Sequence, residues 1–106
     1  MQTLKFGLDT FGDTQHDDFG NPISAAQTIR NVIEQGVLAD SLGLDNFNIG
    51  EHHRDDFAVS APDTVLAGIA TRTKNIGLGT GVTVLSSDDP VRVYERFATV
   101  DALSNG

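Results

Sequence analysis

Cysteine is absent from this 106-residue chain, and its absence excludes disulfide bonds and thiolate metal sites. The chain also lacks an apolar run of about 18 residues, the length that a transmembrane helix needs, so we predict no membrane partner. Its N-terminus enters a strand pattern directly, without the apolar core that marks a signal peptide. The simplest expectation is a cytoplasmic protein.

Positive charge is scarce as well. Seven Lys and Arg residues stand against fifteen Asp and Glu residues, which gives a formal net charge of -8. The cations are scattered along the chain, whereas the neutralisation of phosphates needs clustered Lys and Arg. The sequence therefore argues against nucleic acid as a partner. The remaining composition, 39% hydrophobic and 21% charged, is ordinary for a folded globular protein.

Hydrophobic periodicity predicts three strands that alternate with three helices. Ser24, followed three residues later by Gln27, is typical of a helix N-terminus. The β-α-β-α-β-α order implies a parallel sheet with right-handed crossovers, and hence an α/β fold. The predicted strands span residues 4–11, 46–53 and 76–84, and the predicted helices run from Ser24 to near Gly43, from Pro62 to near Lys74 and from Pro90 to Ser104.

Loop lengths distinguish two architectures for such a sheet. The predicted connections after strands run to about 4 to 12 residues, whereas those after helices are much shorter. Long loops after strands are typical of a (β/α)8 barrel of the TIM type, whose active site occupies the C-terminal face. An open, doubly wound sheet is the competing architecture, and three units alone leave it open.

A closed barrel needs roughly 200 residues or more. We therefore expect residues 1–106 to form one partial barrel domain, the N-terminal three βα units of a longer protein, that is inactive as a catalyst by itself. The outer edges of the first and third strands would lack partners, and such edges favour self-association.

An acid and two histidines end the second predicted strand: Glu51, His52 and His53. Because α/β proteins place their chemistry at the C-terminal ends of strands, we interpret this stretch as the edge of an active site. Side chains alternate across a strand, so His52 should share a face with Asn48 and Gly50, and His53 should point the other way. A polar cluster satisfied by backbone and water is the plainer alternative.

The same alternation divides each strand into a bulky face, predicted to meet the helices, and a small face. The small face of the third strand consists largely of Gly77, Gly79 and Gly81. Glycine weakens a strand, and close approach of a ligand or of bulky groups would offset that cost. A dinucleotide-binding motif must turn into a helix, whereas Val82 to Val84 are predicted to continue the strand, so we reject that reading.

A metal-dependent hydrolase that uses His52, His53 and Asp55 is a further hypothesis. The chain contains no recognised metal-binding spacing such as His-Glu-x-x-His. Adjacent strand residues also point to opposite faces and cannot easily bind one ion together. We therefore predict no metal site, and keep the hydrolase as an alternative.

Several segments resemble the N-terminal part of the bacterial luciferase-like, flavin-dependent monooxygenases. The most specific is Glu-His-His after the second strand, combined with Gly-Thr-Gly-Val ahead of a helix that begins Pro-Val-Arg. Together the matching segments cover nearly the whole chain. They are residues 4–12, 50–57, 61–64, 76–92 and 95–106.

This resemblance implies a (β/α)8 barrel that binds reduced FMN, or in sister groups a deazaflavin, at the C-terminal ends of its strands. The enzyme would use O2 and reduced flavin, supplied by a flavin reductase, to oxidise a small organic substrate such as an aldehyde. His52 matches the family's active-site histidine, which assists proton transfer beside the flavin. An imidazole that titrates near neutral pH suits this role.

The resemblance also implies the residues around the cofactor. Thr80, Gly81 and Val82 match the segment that passes beneath the isoalloxazine ring, often through a bulge or a non-prolyl cis peptide. Glu51 and His53 match neighbours of the flavin whose role is less clear. The groups that grip the phosphate lie mainly in later segments of the family, so we expect residues 1–106 alone to bind flavin poorly.

We also expect a homo-oligomer, because exposed strand edges or the apolar faces of the second and third helices would favour self-association. Because some members of the family pair an active chain with an inactive one, a non-catalytic flavin-binding or partner subunit is the main alternative function. The presence of His52 argues against that alternative.

Overall fold

Three strands and three helices alternate along the chain in the computed structural model, which describes residues 1–106. This is the predicted β-α-β-α-β-α order, and no helix combines the length and apolar character needed to cross a bilayer. The elements are β1 (Gly7–Thr10), α1 (Ala25–Ser41), β2 (Asn46–Ile49), α2 (Pro62–Ala70), β3 (Gly77–Thr80), a 3-10 turn (Leu85–Ser87) and α3 (Pro90–Ser104).

The three strands form one sheet in the order β1-β2-β3, and both pairs are parallel. Leu8, Phe47 and Leu78 lie in register across the sheet, and so do Asp9, Asn48 and Gly79 on the opposite face. The prediction of a parallel sheet with one apolar and one small, polar face is therefore confirmed. The parallel arrangement also brings the C-terminal ends of all three strands to one edge.

The predicted strands were too long. In the sheet, Gly7 pairs with Asn46, the first residue of β2, so Leu4 to Phe6 extend beyond the start of β2 and have no strand beside them. The N–H of Phe6 instead donates to the Asp45 carboxylate at 2.8 Å. Beyond Thr80, the N–H of Val84 donates to the side chain of Glu51 rather than to a strand. Residues 82–84 therefore leave the sheet. The dinucleotide motif is still rejected, because the next α-helix begins only at Pro90.

The core lies between the apolar face of the sheet and the helices. Phe47 and Ile49 of the central strand are 2% and 0% exposed, and Leu66 and Ile69 of α2 are buried against them in the same cluster. Helix α2 is the middle helix and contacts both α1 and α3. Gly36 permits the approach of α1, because a Cβ there would lie 2.7 Å from the Cδ1 atom of Ile69.

The bulky side chains of the first predicted strand do not meet the helices as predicted. Leu4, Phe6 and Leu8 are 78%, 63% and 50% exposed, because α1 packs chiefly on α2 rather than on β1. Helix α3 is only partly packed against the core. Phe97 packs against the core, whereas Tyr94 remains exposed.

Caps and turns set the positions of the elements. The Ser24 hydroxyl accepts from the N–H of Gln27 at 3.2 Å, as predicted for the N-cap of α1. Near the other end of α1, the Asp40 carboxylate accepts from the N–H groups of Lys74, Asn75 and Ile76 at 3.1, 3.0 and 2.9 Å. These bonds, led by that of Asn75, hold the pKa of Asp40 below its usual value.

We expect Asp40→Ala to lower the melting temperature at neutral pH, because three N–H groups ahead of β3 lose their acceptor. A carboxylate with a lowered pKa stabilises the fold above its unfolded-state pKa, 3.8, and loses this effect as the pH falls through its folded-state pKa. The difference between variant and parent should therefore disappear in acid. Thermal melts over a pH series measure this, with the exposed Asp18→Ala as control. Equal melting temperatures at neutral pH would contradict the prediction.

Candidate active site

Three chain segments converge at the C-terminal end of β2. The N–H of Gly50 donates to the carbonyl of Thr10 at 2.8 Å, and the N–H of Gly81 donates to the carbonyl of Ile49 at 3.0 Å. Gly50 is buried between the segments, since a Cβ there would lie 3.4 Å from both the carbonyl oxygen of Gly81 and the Cα atom of Phe11. The backbone thus joins the ends of all three strands.

His52 lies at this edge, where the sequence placed it. Its Nδ1 atom is 3.2 Å from the carbonyl oxygen of Phe11. A carbonyl oxygen can only accept, so this partner assigns the proton of the neutral ring to Nδ1 and leaves Nε2 as an acceptor. The ring stacks on Phe57 with centroids 3.9 Å apart, and Phe11 approaches edge-on at 5.7 Å. The imidazole is therefore held by two aromatic rings and one hydrogen bond.

The loop after β1 and the loop after β2 are hydrogen-bonded to each other, and these bonds position Phe57. An antiparallel bridge joins Asp13 to Phe57, and the N–H of Ala58 donates to the carbonyl of Gly12 at 2.7 Å. Gly12 has φ 65°, and a Cβ there would lie 2.5 Å from the Cβ atom of buried Val59. Glycine is required at this position for both its conformation and its size.

Sequence reasoning missed Phe11 and Phe57 as supports of His52. The signal available was one aromatic residue in or beside each of two polar loops: Phe11 at the end of the first predicted strand, and Phe57 five residues after His52. That signal gains meaning only once the loops are known to meet.

Glu51 and His53 have partners other than those of His52. One oxygen of the Glu51 carboxylate lies 2.8 Å from the Nε2 atom of His53, and the other accepts from the N–H of Val84 at 2.8 Å. The Glu51 side chain is 10% exposed and that of His53 is 58% exposed. The two histidines thus point to different surroundings, as predicted, although β2 ends at Ile49 and strand alternation therefore does not set their directions.

The segment that the resemblance places beneath a flavin ring begins at Thr80, the last residue of β3. The peptide bond between Gly81 and Val82 is cis, one of the two conformations that the resemblance implied. A Cβ at Gly81 would meet only the Cβ atom of Asn48, at 3.8 Å. Val82 is 70% exposed. The end of β3 therefore presents open space above a small residue and an unpacked apolar side chain.

The glycines within β3 have a different explanation from the predicted close approach of a ligand. A Cβ at Gly77 would lie 2.5 Å from the Oδ1 atom of Asn46, and one at Gly79 would lie 2.6 Å from that of Asn48. The amide of Asn48 also donates to the Asp9 carboxylate at 2.7 Å. The amide side chains of β2 occupy the space over these two glycines, and only Gly81 remains open.

Two of the arginines near this edge, Arg54 and Arg96, form ion pairs with carboxylates. Arg54 pairs with Asp56 at 2.9 Å. Arg96 pairs with Asp63 at 2.5 Å and also with Asp88, beside a cleft of about 380 Å³ that His53 and Glu51 also line. The hydrogen bond between Arg96 and Asp88 lowers the pKa of the carboxyl and raises the pKa of the guanidinium.

These features decide which part of a flavin the residues could hold. The open glycine, the exposed valine and the oriented imidazole fit a flat, conjugated ring. A phosphate is held by free cations or by a cradle of N–H groups. Arg54 and Arg96 are already paired with carboxylates, so neither is a free cation. The site therefore fits the isoalloxazine ring and leaves the phosphate to other groups.

The geometry gives the metal-dependent hydrolase no support. No group of three or more His, Cys, Asp or Glu side chains is arranged to hold a metal ion. His52 bonds to Phe11, whereas His53 bonds to Glu51. The proposed ligands therefore do not converge.

Comparison with known proteins agrees with the geometry. The family described as luciferase-like monooxygenase matches residues 10–106. The chain is 32% identical over 88 residues to the N-acetyl-S-alkylcysteine monooxygenase of Bacillus subtilis, covering 82% of this chain and 26% of that protein. It is 33% identical over 81 residues to the oxygenase component of the flavin-dependent trigonelline monooxygenase of Acinetobacter baylyi, covering 76% of this chain and 22% of that protein.

A solved structure gives the same picture. The oxygenating constituent of the 3,6-diketocamphane monooxygenase of Pseudomonas putida, in complex with FMN, is similar with a TM-score of 0.83 and 26% identity, covering 98% of this chain and 28% of that one. The predicted fold class, a portion of a (β/α)8 barrel, is confirmed. The chain spans about a quarter of the length of the curated relatives it matches. The domain limits of 1–106 stay a prediction.

We expect Phe57→Ala to loosen the His52 ring, because a stacked aromatic pair contributes about 0.5–1.5 kcal/mol beyond its buried area. The Nδ1–H tautomer should lose population to the Nε2–H tautomer, and the ring resonances should broaden. Long-range nitrogen–proton NMR spectra of the imidazole measure both changes.

Phe19→Ala is the matched control for Phe57→Ala, since Phe19 lies in a loop and is 90% exposed. It should leave the spectrum of His52 unchanged. A tautomer ratio that Phe57→Ala does not alter would show that the stacking does not orient the ring.

Proposed function

Because the chain belongs to the luciferase-like monooxygenase family, we propose that the whole protein is a flavin-dependent monooxygenase that uses O2 to oxidise a small organic substrate such as an aldehyde. The observation that carries the proposal is the placement of His52. Its ring is fixed by Phe11 and Phe57 beside the open end of β3, with Nε2 free of protein partners. The family match adds the redox chemistry to this geometry.

The cofactor in this proposal is reduced FMN, with a deazaflavin as the alternative. When bound, the reduced flavin supplies the electrons that activate O2. Thr80, Gly81 and Val82 would lie against one face of its ring, because Gly81 leaves room and Val82 offers apolar contact. Glu51 and His53 would stand at the same edge. The FMN complex of the diketocamphane enzyme supports this choice.

His52 would hold and move a proton at Nε2. The bond from Nδ1 to the Phe11 carbonyl fixes the orientation of the ring. Once Nε2 takes up a proton, the same carbonyl stabilises the imidazolium, since Nδ1 still donates to it. A general acid or base needs this combination of a fixed ring and one free nitrogen.

The partners in this proposal are O2, the organic substrate and a flavin reductase. The reductase is supported by the relative from Acinetobacter baylyi, which is named as an oxygenase component. We also propose a homo-oligomer, since α3 exposes the apolar side chains of Val91 and Tyr94 at 62% and 75%. A cytoplasmic location and the inactivity of residues 1–106 alone stay predictions.

We expect His52→Ala in the whole protein to slow flavin-dependent oxygenation by about 10²- to 10⁴-fold, the usual contribution of a positioned acid or base. Binding of FMN should change little, because the ring contacts of Gly81 and Val82 remain. The measurements are oxygen consumption and product formation with a panel of aldehydes and reduced FMN, together with an FMN titration.

His16→Ala is the control for His52→Ala, since His16 is exposed in the loop after β1. Its turnover should match that of the parent. Unchanged turnover in His52→Ala would remove His52 from the mechanism. A parent protein that binds FMN but oxidises nothing would favour the non-catalytic subunit instead.

A further inference from the structure

The Glu51 carboxylate is the most enclosed acidic group at the strand ends. Its side chain is 10% exposed, although burial of a carboxylate is unfavourable unless hydrogen bonds or opposite charges compensate it. Both of its oxygens are used, one with the imidazole of His53 and one with the N–H of Val84, each at 2.8 Å. Neither bond points to His52.

The Val84 bond attaches Glu51 to the segment that would lie beneath the flavin. Three bonds join residues 81–84 to the strand ends, and the N–H and hydroxyl of Ser87 also donate to the carbonyl of Val84. The N–H of Gly81 donates to the carbonyl of Ile49 at 3.0 Å, the hydroxyl of Thr83 lies 2.7 Å from that of Thr80, and the N–H of Val84 donates to Glu51. Val82 lies between these attachments and is 70% exposed.

Glu51 is thus the one attachment that reaches this segment from a side chain of the adjoining strand end. The Gly81 bond attaches the start of the segment to β2, and the Thr83 bond attaches its middle to Thr80, the last residue of β3. Among these three bonds, only that of Glu51 joins Val84 directly to the residues that follow β2, from which His52 also extends. A change in the length of the Glu51 side chain would therefore move Val84, two residues after Val82, relative to the end of β2.

We propose that Glu51 is a positioning residue that sets the height of Val82 beneath the flavin ring through its bond to Val84. This inference rests on the proposed function, because it requires a flavin at the strand ends. It assigns Glu51 a role through the backbone rather than a contact with the cofactor. The length of its side chain then matters more than its charge.

Two substitutions separate length from charge. Glu51→Gln keeps the length, and its carbonyl oxygen can accept from Val84 while its amide donates to a neutral His53. Glu51→Asp keeps the charge but is one methylene shorter and cannot reach both partners. Glu95→Asp is the matched control, since it shortens an exposed glutamate of α3 whose side chain makes no hydrogen bond.

A third substitution removes the donor instead of the acceptor. Val84→Pro deletes the N–H, and the φ of -78° at this residue lies within the range that proline adopts. Glu51 itself is untouched in this variant. If Glu51→Asp fails to fold by circular dichroism, Val84→Pro still tests the same bond.

The experiment is a fluorescence titration of the whole protein with FMN, combined with amide hydrogen exchange at residues 82–86. We expect Glu51→Asp and Val84→Pro to raise the Kd for FMN about tenfold, as the loss of one charge-assisted hydrogen bond predicts. Exchange of residues 82–86 should accelerate in both variants. Glu51→Gln and Glu95→Asp should keep the Kd within about threefold of the parent value.

The outcomes separate this inference from the proposed function. If the parent binds FMN and Glu51→Asp binds it equally well while exchange accelerates, the bond is only structural and the inference is overturned. Weak binding by Glu51→Gln with normal binding by Glu51→Asp would overturn it too, because charge would then matter rather than length. A parent that binds no FMN would overturn the proposed function and this inference with it.

Discussion

The burial of β2 between two parallel neighbours is the constraint on which the rest of the structure depends. Phe47 and Ile49 are almost wholly enclosed on one face, and Asn48 bonds to Asp9 while covering Gly79 on the other. Both edges of the strand are hydrogen-bonded. The backbone from which residues 50–53 extend is therefore rigid. A catalytic side chain needs such a rigid support to keep its geometry.

The residues after that point diverge. Glu51 turns to the loop after β3, His52 to the loop after β1, and His53 to the cleft beside α3. Each loop is attached to the end of β2 by a different side chain or backbone group. One short stretch of sequence thus joins two loops that are far apart along the chain, the loop after β1 and the loop after β3.

The sequence was informative where local chemistry decides the structure. Ser24, Pro62 and Pro90 marked helix starts correctly, because capping and proline geometry act within one turn. The different directions of His52 and His53 were also predicted, although β2 ends at Ile49 and the strand alternation assumed for them does not extend that far. The predicted strand ends were wrong because the length of a strand depends on how far the neighbouring strand extends beside it. The stacking of Phe57 and the bond from Glu51 to Val84 join residues distant in the sequence, so no local pattern contains them.

The electrostatics of the strand ends indicate how they would recognise a flavin. The chain carries a formal charge of -8, and Arg54 and Arg96 are each neutralised by aspartates. A phosphate anion would find no unpaired arginine among these two, whereas a neutral ring needs only space, apolar contact and oriented polar groups. Gly81, Val82 and His52 supply these three requirements. Recognition at this edge would therefore rest on shape and hydrogen bonding, and attraction of the phosphate would need a different set of groups.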